Sequence, residues 1–294
     1  MHLNAFLVIV FLVIPLPLAS FEIPPSFLFP VVLGASAPQG TAESRTVASP
    51  APGSADWIAS QVDRRDTGRD SRLTMQMRLI DRQGRPRERT LGVNGLRGQC
   101  GTGDRVLVRF TYPNDIAGTG FLVWDRPGGD DDRFLYHPAL ARVRRITGAE
   151  RQESFVGSDF TYEDIGGRAL DDYTYTLVQE DGSWADSAGA RHPAWRLESK
   201  ARDADALYPK VISTIRKDNF VVVAAEVFNR RGERAKAYRV TKLSQVQGIW
   251  TVMASTMANE VDRTRTELAV TEARYNTGLA ERDFSRRELE NGAR

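Results

Sequence analysis

The chain is poor in the residues from which reactive sites are usually built. A single cysteine, Cys100, stands among 294 residues, which excludes an intrachain disulfide and a multi-cysteine metal site. It also lies too far along the chain to be an acylated N-terminal cysteine. Histidine occurs only as His2, His137 and His192, with no H-E-x-x-H or G-x-S-x-G arrangement around them. The formal net charge is +2, so there is no basic field to gather nucleic acid and no acidic tail. "GTGDR", Gly101 to Arg105, lacks the spacing of a phosphate-binding loop. No metal, cofactor or nucleic-acid partner follows from these residues.

What is present begins with a leader. Between Ala5 and Leu33 the only charge is Glu22, and "AFLVIVFLVIPLPLA" reads as a signal-peptide core followed by the small residues Gly34 to Ala37. No Lys or Arg precedes Arg45, and prolines at 15, 17, 24 and 25 interrupt the ~20 apolar residues that a spanning helix needs. Residues 1–37 are therefore read as an export leader, with an uncleaved N-terminal membrane anchor as the alternative. A Pro/Ser/Ala-rich linker over 38–54 leads to one folded domain over 55–294.

Ser54 is placed to cap a short helix from Ala55 to Arg65. The period then changes to two: "RLTMQMRLI" sets Leu73, Met75, Met77 and Leu79 on one face, and "DRVLVRFTYP" sets Val106, Val108, Phe110 and Tyr112 on one face. Turns at Asp81 to Gly84, Pro127 to Gly129 and Asn229 to Glu233 punctuate roughly ten strands, and "ERDFSRREL" reads as a terminal helix. Without βαβ alternation, this predicts a mainly β protein built on one wide, curled antiparallel sheet. Little helical material is on hand to cover so wide a sheet, a shape suited to an apolar ligand.

"ESFVGSDFTYEDI", Glu153 to Ile165, carries the densest chemistry. Glu163 and Asp164 are adjacent, so in a strand they face opposite ways and do not form an acid–base pair across a sugar. "ARVRRI" supplies Arg142, Arg144 and Arg145, which either meet the headgroup of a lipid or form forks with the nearby carboxylates. The segment is read as a structural joint: a turn at Gly157-Ser158-Asp159, anchors at Phe155 and Phe160, and an ion pair from Glu163 or Asp164 to the arginines. "GGDDDR" at 128–133 is a solvated hairpin tip rather than a calcium loop.

The run "DRFLYHPALARVRRITGAERQESFVGSDFTYEDI", Asp131 to Ile165, strongly resembles the signature of LolA-like outer-membrane lipoprotein-sorting proteins, in the branch associated with RND/MMPL-type exporters. Tyr136, Pro138 to Leu140, Arg142 to Ile146, Ser154, Phe155, Gly157 to Phe160 and Tyr162 to Asp164 carry the match; His137 departs from it, standing where a second leucine is usual. The resemblance implies an unclosed half-barrel with covering helices and a non-enzymatic periplasmic carrier, a monomer, that shields acyl chains of a lipid or lipoprotein and works with such an exporter. The aromatics of the alternating strands are the cavity-lining candidates: Phe110, Tyr112, Trp124, Phe134, Tyr136, Tyr173, Tyr175 and Trp195. A scaffold or adaptor that docks on an exporter without carrying lipid is the alternative; an envelope hydrolase has only Glu163 and Asp164 in its favour.

Overall fold

The computed structural model describes residues 50–99, 102–167 and 169–291; most of the expected leader and linker lies outside them. Helix α1 (Ala55–Arg64) starts at Ser54, whose Oγ accepts a hydrogen bond from the Trp57 amide at 3.2 Å. The strands are β1 (Asp70–Ile80), β2 (Pro86–Leu96), β3 (Arg105–Tyr112), β4 (Gly120–Trp124), β5 (Asp132–His137) and β6 (Arg142–Arg145). A connecting segment with the short helix α2 (Tyr162–Gly166) leads to β7 (Tyr173–Ala185), β8 (Arg191–Ala201), β9 (Lys210–Arg216), β10 (Val222–Phe228), β11 (Arg234–Val246), β12 (Ile249–Asn259) and β13 (Thr264–Tyr275). The expected terminal helix divides into a 3-10 turn, Glu281–Phe284, and α3 (Arg286–Asn291).

All thirteen strands form one antiparallel sheet in the order β6-β5-β4-β3-β2-β1-β13-β12-β11-β10-β9-β8-β7. The chain closes upon itself only at the middle, where β1 pairs with β13. The two edges, β6 and β7, are neighbours in sequence and remain unpaired with each other, so the half-barrel stays open.

Register fixes which side chains share a face. Met77 lies opposite Leu268, and Met75 opposite Val270. The same face runs on through Met257, Tyr238 and Ala225 to Ser213 and Leu197. In the other direction it runs through Leu91 and Val93 to Phe110 and Val108, then Phe121 and Leu135. A slip of one residue would turn this whole set outward. This inner face holds the largest core cluster, which also takes in Phe155, Phe160, Tyr162 and Ile165 from the β6–β7 connection.

The outer face is covered in one place. Leu279, Phe284 and Leu289 pack on Leu107, Leu122 and Phe134, and the Trp124 indole donates to the Phe284 carbonyl at 2.7 Å. Gly120 allows this approach: a Cβ there would come within 2.6 Å of Leu289 Cδ1. The C-terminal helix thus buttresses β3 to β6 from outside, while α1 and α2 lie on the inner face.

Candidate functional site

The site is the inner face and the two pieces of chain laid upon it. At one end lies α1, whose Ile58, Ala59 and Val62 are buried against Leu197, Ile215 and Val222, with Tyr175, Leu177 and Trp195 alongside. Trp57 meets Trp195 edge-on at 6.3 Å and Phe220 at 5.7 Å. At the other end lies the plug, the connection from β6 to β7.

The plug is a tight hairpin followed by one helical turn. Ser154 and Thr161 form an isolated bridge, and the Phe155 amide donates to the Phe160 carbonyl at 2.7 Å. Gly157 has φ 75°, a left-handed value that glycine adopts freely. Val156 has φ 48°, strained for a β-branched residue, and its carbonyl accepts a hydrogen bond from the inward-facing Arg89. The Thr161 hydroxyl accepts from the Asp164 amide at 3.0 Å while Asp164 Oδ2 accepts from the Thr161 amide at 2.9 Å, a reciprocal cap for α2.

Both aromatic anchors are buried: Phe155 is 1% exposed and Phe160 0%. Phe155 packs on Phe110, Phe121 and Tyr162 at ring distances of 5.7, 5.5 and 5.6 Å. Four residues on, Asp159 is tied to the opposite wall. Its carboxylate accepts from the hydroxyls of Thr264 and Thr266, the latter at 2.7 Å, and its carbonyl accepts from Lys236 Nζ at 2.5 Å. β4 and β11 are six strands apart, about 29 Å on a flat sheet. Four residues of chain span at most ~14 Å. Side chains standing roughly perpendicular to the sheet add little, so the wall must curve for one hairpin to touch both.

The joint is as expected in its turn and anchors and differs in its ion pairs. Arg144 pairs with Glu150 at 2.6 Å and Arg145 with Asp132 at 2.5 Å. Asp164 instead approaches Lys236 at 3.8 Å. Arg142 is exposed and has no ion-pair partner among the described residues. Glu163 lies on the first turn of α2, where its charge acts on the buried Arg133. Arg133 pairs with Asp131 at 2.8 Å and donates to the Gly167 carbonyl at 3.3 Å, pinning the far end of α2.

The eight aromatic lining candidates divide between surfaces. Phe110 is on the inner face under the plug, and Tyr175 and Trp195 are on it beneath α1. Tyr173 is buried at the start of β7, 6% exposed. Trp124, Phe134 and Tyr136 lie on the outer face with the C-terminal segment. Tyr112 is 54% exposed at the tip of β3.

Among the buried charges not singled out from sequence, two bear on this site. Lys236 stands two and four residues before Tyr238 and Val240, inner positions of β11, so the period of two marks it as inward. Asp63 lies in the last turn of α1, is 2% exposed, and its Oδ1 has no hydrogen-bond partner among the described residues. Burial, reinforced by Asp104, pushes the Asp63 carboxyl up to about 8, against the opposing pull of Arg97 and Arg64. Among the described residues no group of three or more His, Cys, Asp or Glu is disposed to hold a metal ion, and no helix is long and apolar enough to cross a membrane.

An open antiparallel half-barrel with a plugged, apolar inner face defines the LolA-like class of folds. A family model described as "Uncharacterized protein" matches residues 102–291. Among solved structures, a domain from Vibrio parahaemolyticus, provisionally described as an outer membrane lipoprotein-sorting protein, is 30% identical. The alignment covers 80% of this chain and 98% of that one at a TM-score of 0.73. A DUF1329 family protein from Desulfovibrio piger is 26% identical, with 80% and 97% covered and a TM-score of 0.72. A LolA superfamily protein from Nitrosomonas europaea, 17% identical over 80% and 99% at 0.60, shares the fold. No curated protein matches the chain. The chain belongs to the LolA-like outer membrane lipoprotein-sorting protein family.

Proposed function

We infer that the protein is a periplasmic carrier that shields the acyl chains of a lipid or lipoprotein, working as a monomer by binding alone and without catalysis. One observation carries the reading: a largely apolar inner face, in two clusters with Ser199, Ser213 and Ser255 among them, spans the sheet and is covered by α1 and a single hairpin-built plug, not by a second sheet. The family relationship and the lipoprotein-sorting description of the Vibrio relative agree with it. Phe110, Tyr173, Tyr175 and Trp195 are the aromatic positions best placed to meet an acyl chain once α1 or the plug moves. Arg142 is free to meet a headgroup. Cargo passing to or from an RND-type exporter fits the resemblance of the Asp131 to Ile165 signature.

A second reading has its own support. Phe110, Phe121, Phe155 and Phe160 are 0–1% exposed, so the plugged interior is already filled by the chain's own rings. A protein that never releases its plug would be an adaptor docking on an envelope partner.

Titration with a fluorescent fatty acid separates the two. The carrier binds the probe saturably in the folded state and releases it to phospholipid or lipopeptide. Binding that develops only on unfolding overturns the carrier reading and leaves the adaptor.

A further inference from the structure

The antiparallel strand order puts the β1–β2, β3–β4, β5–β6, β8–β9, β10–β11 and β12–β13 turns at one rim of the half-barrel. Four large apolar side chains are exposed among the described residues, and three belong to this rim: Tyr112 at 54%, Leu140 at 71% and Val261 at 65%. They project from three different turns, so no one of them covers another. The fourth, Val178, lies along β7 away from the turns.

The same rim carries arginines that stand outside any ion pair among the described residues. Arg82, Arg87, Arg142, Arg231 and Arg263 are exposed and have no ion-pair partner among the described residues. Several rim carboxylates are already committed: Asp81 to Arg85, Glu88 to Arg78 and Glu260 to Arg234. Asp115, Asp171, Asp172, Asp203, Asp205, Glu233 and Asp262 share the rim, Asp262 beside Arg263 on the turn of Val261, so the arginines act as individual phosphate contacts rather than as a net positive field. At the opposite end, Asp130, Asp131 and Asp132 of the β4–β5 hairpin are each paired with an arginine, Arg151, Arg133 and Arg126 respectively.

We propose that this rim docks peripherally on an anionic phospholipid bilayer, with Leu140, Val261 and Tyr112 entering the headgroup region and the unpaired arginines meeting lipid phosphates. Short apolar protrusions among cations give interfacial binding that is reversible and weakened by salt. The plug is tied to this end: Asp159 is bonded to Thr264 and Thr266 just past the β12–β13 turn, and Lys236 sits just past the β10–β11 turn. Docking would bring the plugged mouth to the membrane surface. The inference concerns docking, not cargo, and holds whether or not the interior takes a ligand.

Co-sedimentation with vesicles tests it. The protein is expected to bind vesicles of phosphatidylcholine mixed with phosphatidylglycerol at low salt, and to lose most of that binding at high salt or on phosphatidylcholine alone. Leu140→Glu combined with Val261→Glu should weaken binding at least about tenfold, at unchanged melting temperature, because both side chains are exposed. Val178→Glu should leave binding intact. No binding to the anionic vesicles at low salt overturns the proposal, as does binding that survives the double variant or that Val178→Glu reduces equally. Association only with membranes that retain their proteins also overturns it, and assigns the rim to a protein partner.

Discussion

Lys236→Met should loosen the plug and destabilise the fold together. Lys236 is 7% exposed; its ammonium donates to the Asp159 carbonyl at 2.5 Å and lies 3.8 Å from Asp164 Oδ2. Methionine fills much of the same volume, so the loss is of charge and hydrogen bonding rather than of packing. Breaking a buried pair from one side costs ~3–5 kcal/mol when the remaining charge has no other support. Here Asp164 keeps its cap on the Thr161 amide at 2.9 Å and the ion pair is long, which lowers the expected cost to about 2–4 kcal/mol. For a folded domain of this size that corresponds to a melting temperature roughly 5–15 °C lower.

Adding Asp164→Asn removes the carboxylate that faced the lysine, so the double variant should recover part of the loss, with a coupling of at least ~1 kcal/mol in a double-mutant cycle. The Lys236→Met protein should also take up a hydrophobic probe faster than a surface variant of equal stability. Chemical denaturation and stopped-flow fluorescence read the two effects. A Lys236→Met protein within about 0.5 kcal/mol of the parent, or strict additivity with Asp164→Asn, refutes the reasoning that this buried pair fastens the plug.

Two further outcomes follow from other buried groups. Asp63 is held near 8 in the folded protein against 3.8 for the free side chain. The native state therefore binds the extra proton, and stability falls as pH rises from about 4 to about 8. Asp63→Asn should remove that slope and gain a few kcal/mol over the parent at pH 8 but little at pH 4, read by melting at both. Gly166→Ala should cost about 1–3 kcal/mol, because its Cβ would fall 2.4 Å from Nε of Arg133, which Asp131 and the Gly167 carbonyl hold in place; unchanged denaturant midpoints would show that Arg133 is freer than its burial suggests.

Much of the fold was readable because alternation is a strong signal when one face is buried. β1 and β3 emerge on the expected faces, and the turns at Asp81 and Asn229 fall where Gly, Asn and Asp allow them. The aromatics were harder. Trp124 and Phe134 look like lining residues in sequence, yet the segment after Leu279 covers the outer face of β3 to β6, so both faces there are apolar and alternation loses its meaning. Ion-pair partners were harder still. Arg144 and Arg145 lie close in sequence to Glu163 and Asp164, but Glu150 and Asp132 reach them first, and Asp164 is met by a lysine 72 residues further on. Glu150 and Asp132 are nearer in sequence than the expected carboxylates, and only the Asp164 contact with Lys236 crosses the barrel.

That crossing is itself a consequence of topology. Because β1 pairs with β13, the sheet opens between β6 and β7, which are consecutive in the chain. Whatever joins them has to pass across the open side, and passing inside places it on the apolar face that would otherwise meet water. The connection needs an aromatic anchor for the near wall, which Phe155 supplies against Phe110 and Phe121. It needs a compact reversal, which Gly157 and Ser158 supply, and a polar tether for the far wall, which Asp159 finds in Thr264, Thr266 and Lys236. The density of carboxylates, aromatics and turn formers in this short run thus reflects the work of spanning two walls within a few residues. It also makes the run the natural moving part: the plug hangs between two strand ends, and its polar tether lies on the wall opposite its aromatic anchor. Release of the Asp159 and Lys236 contacts would free one end of the plug while Phe155 still held the other.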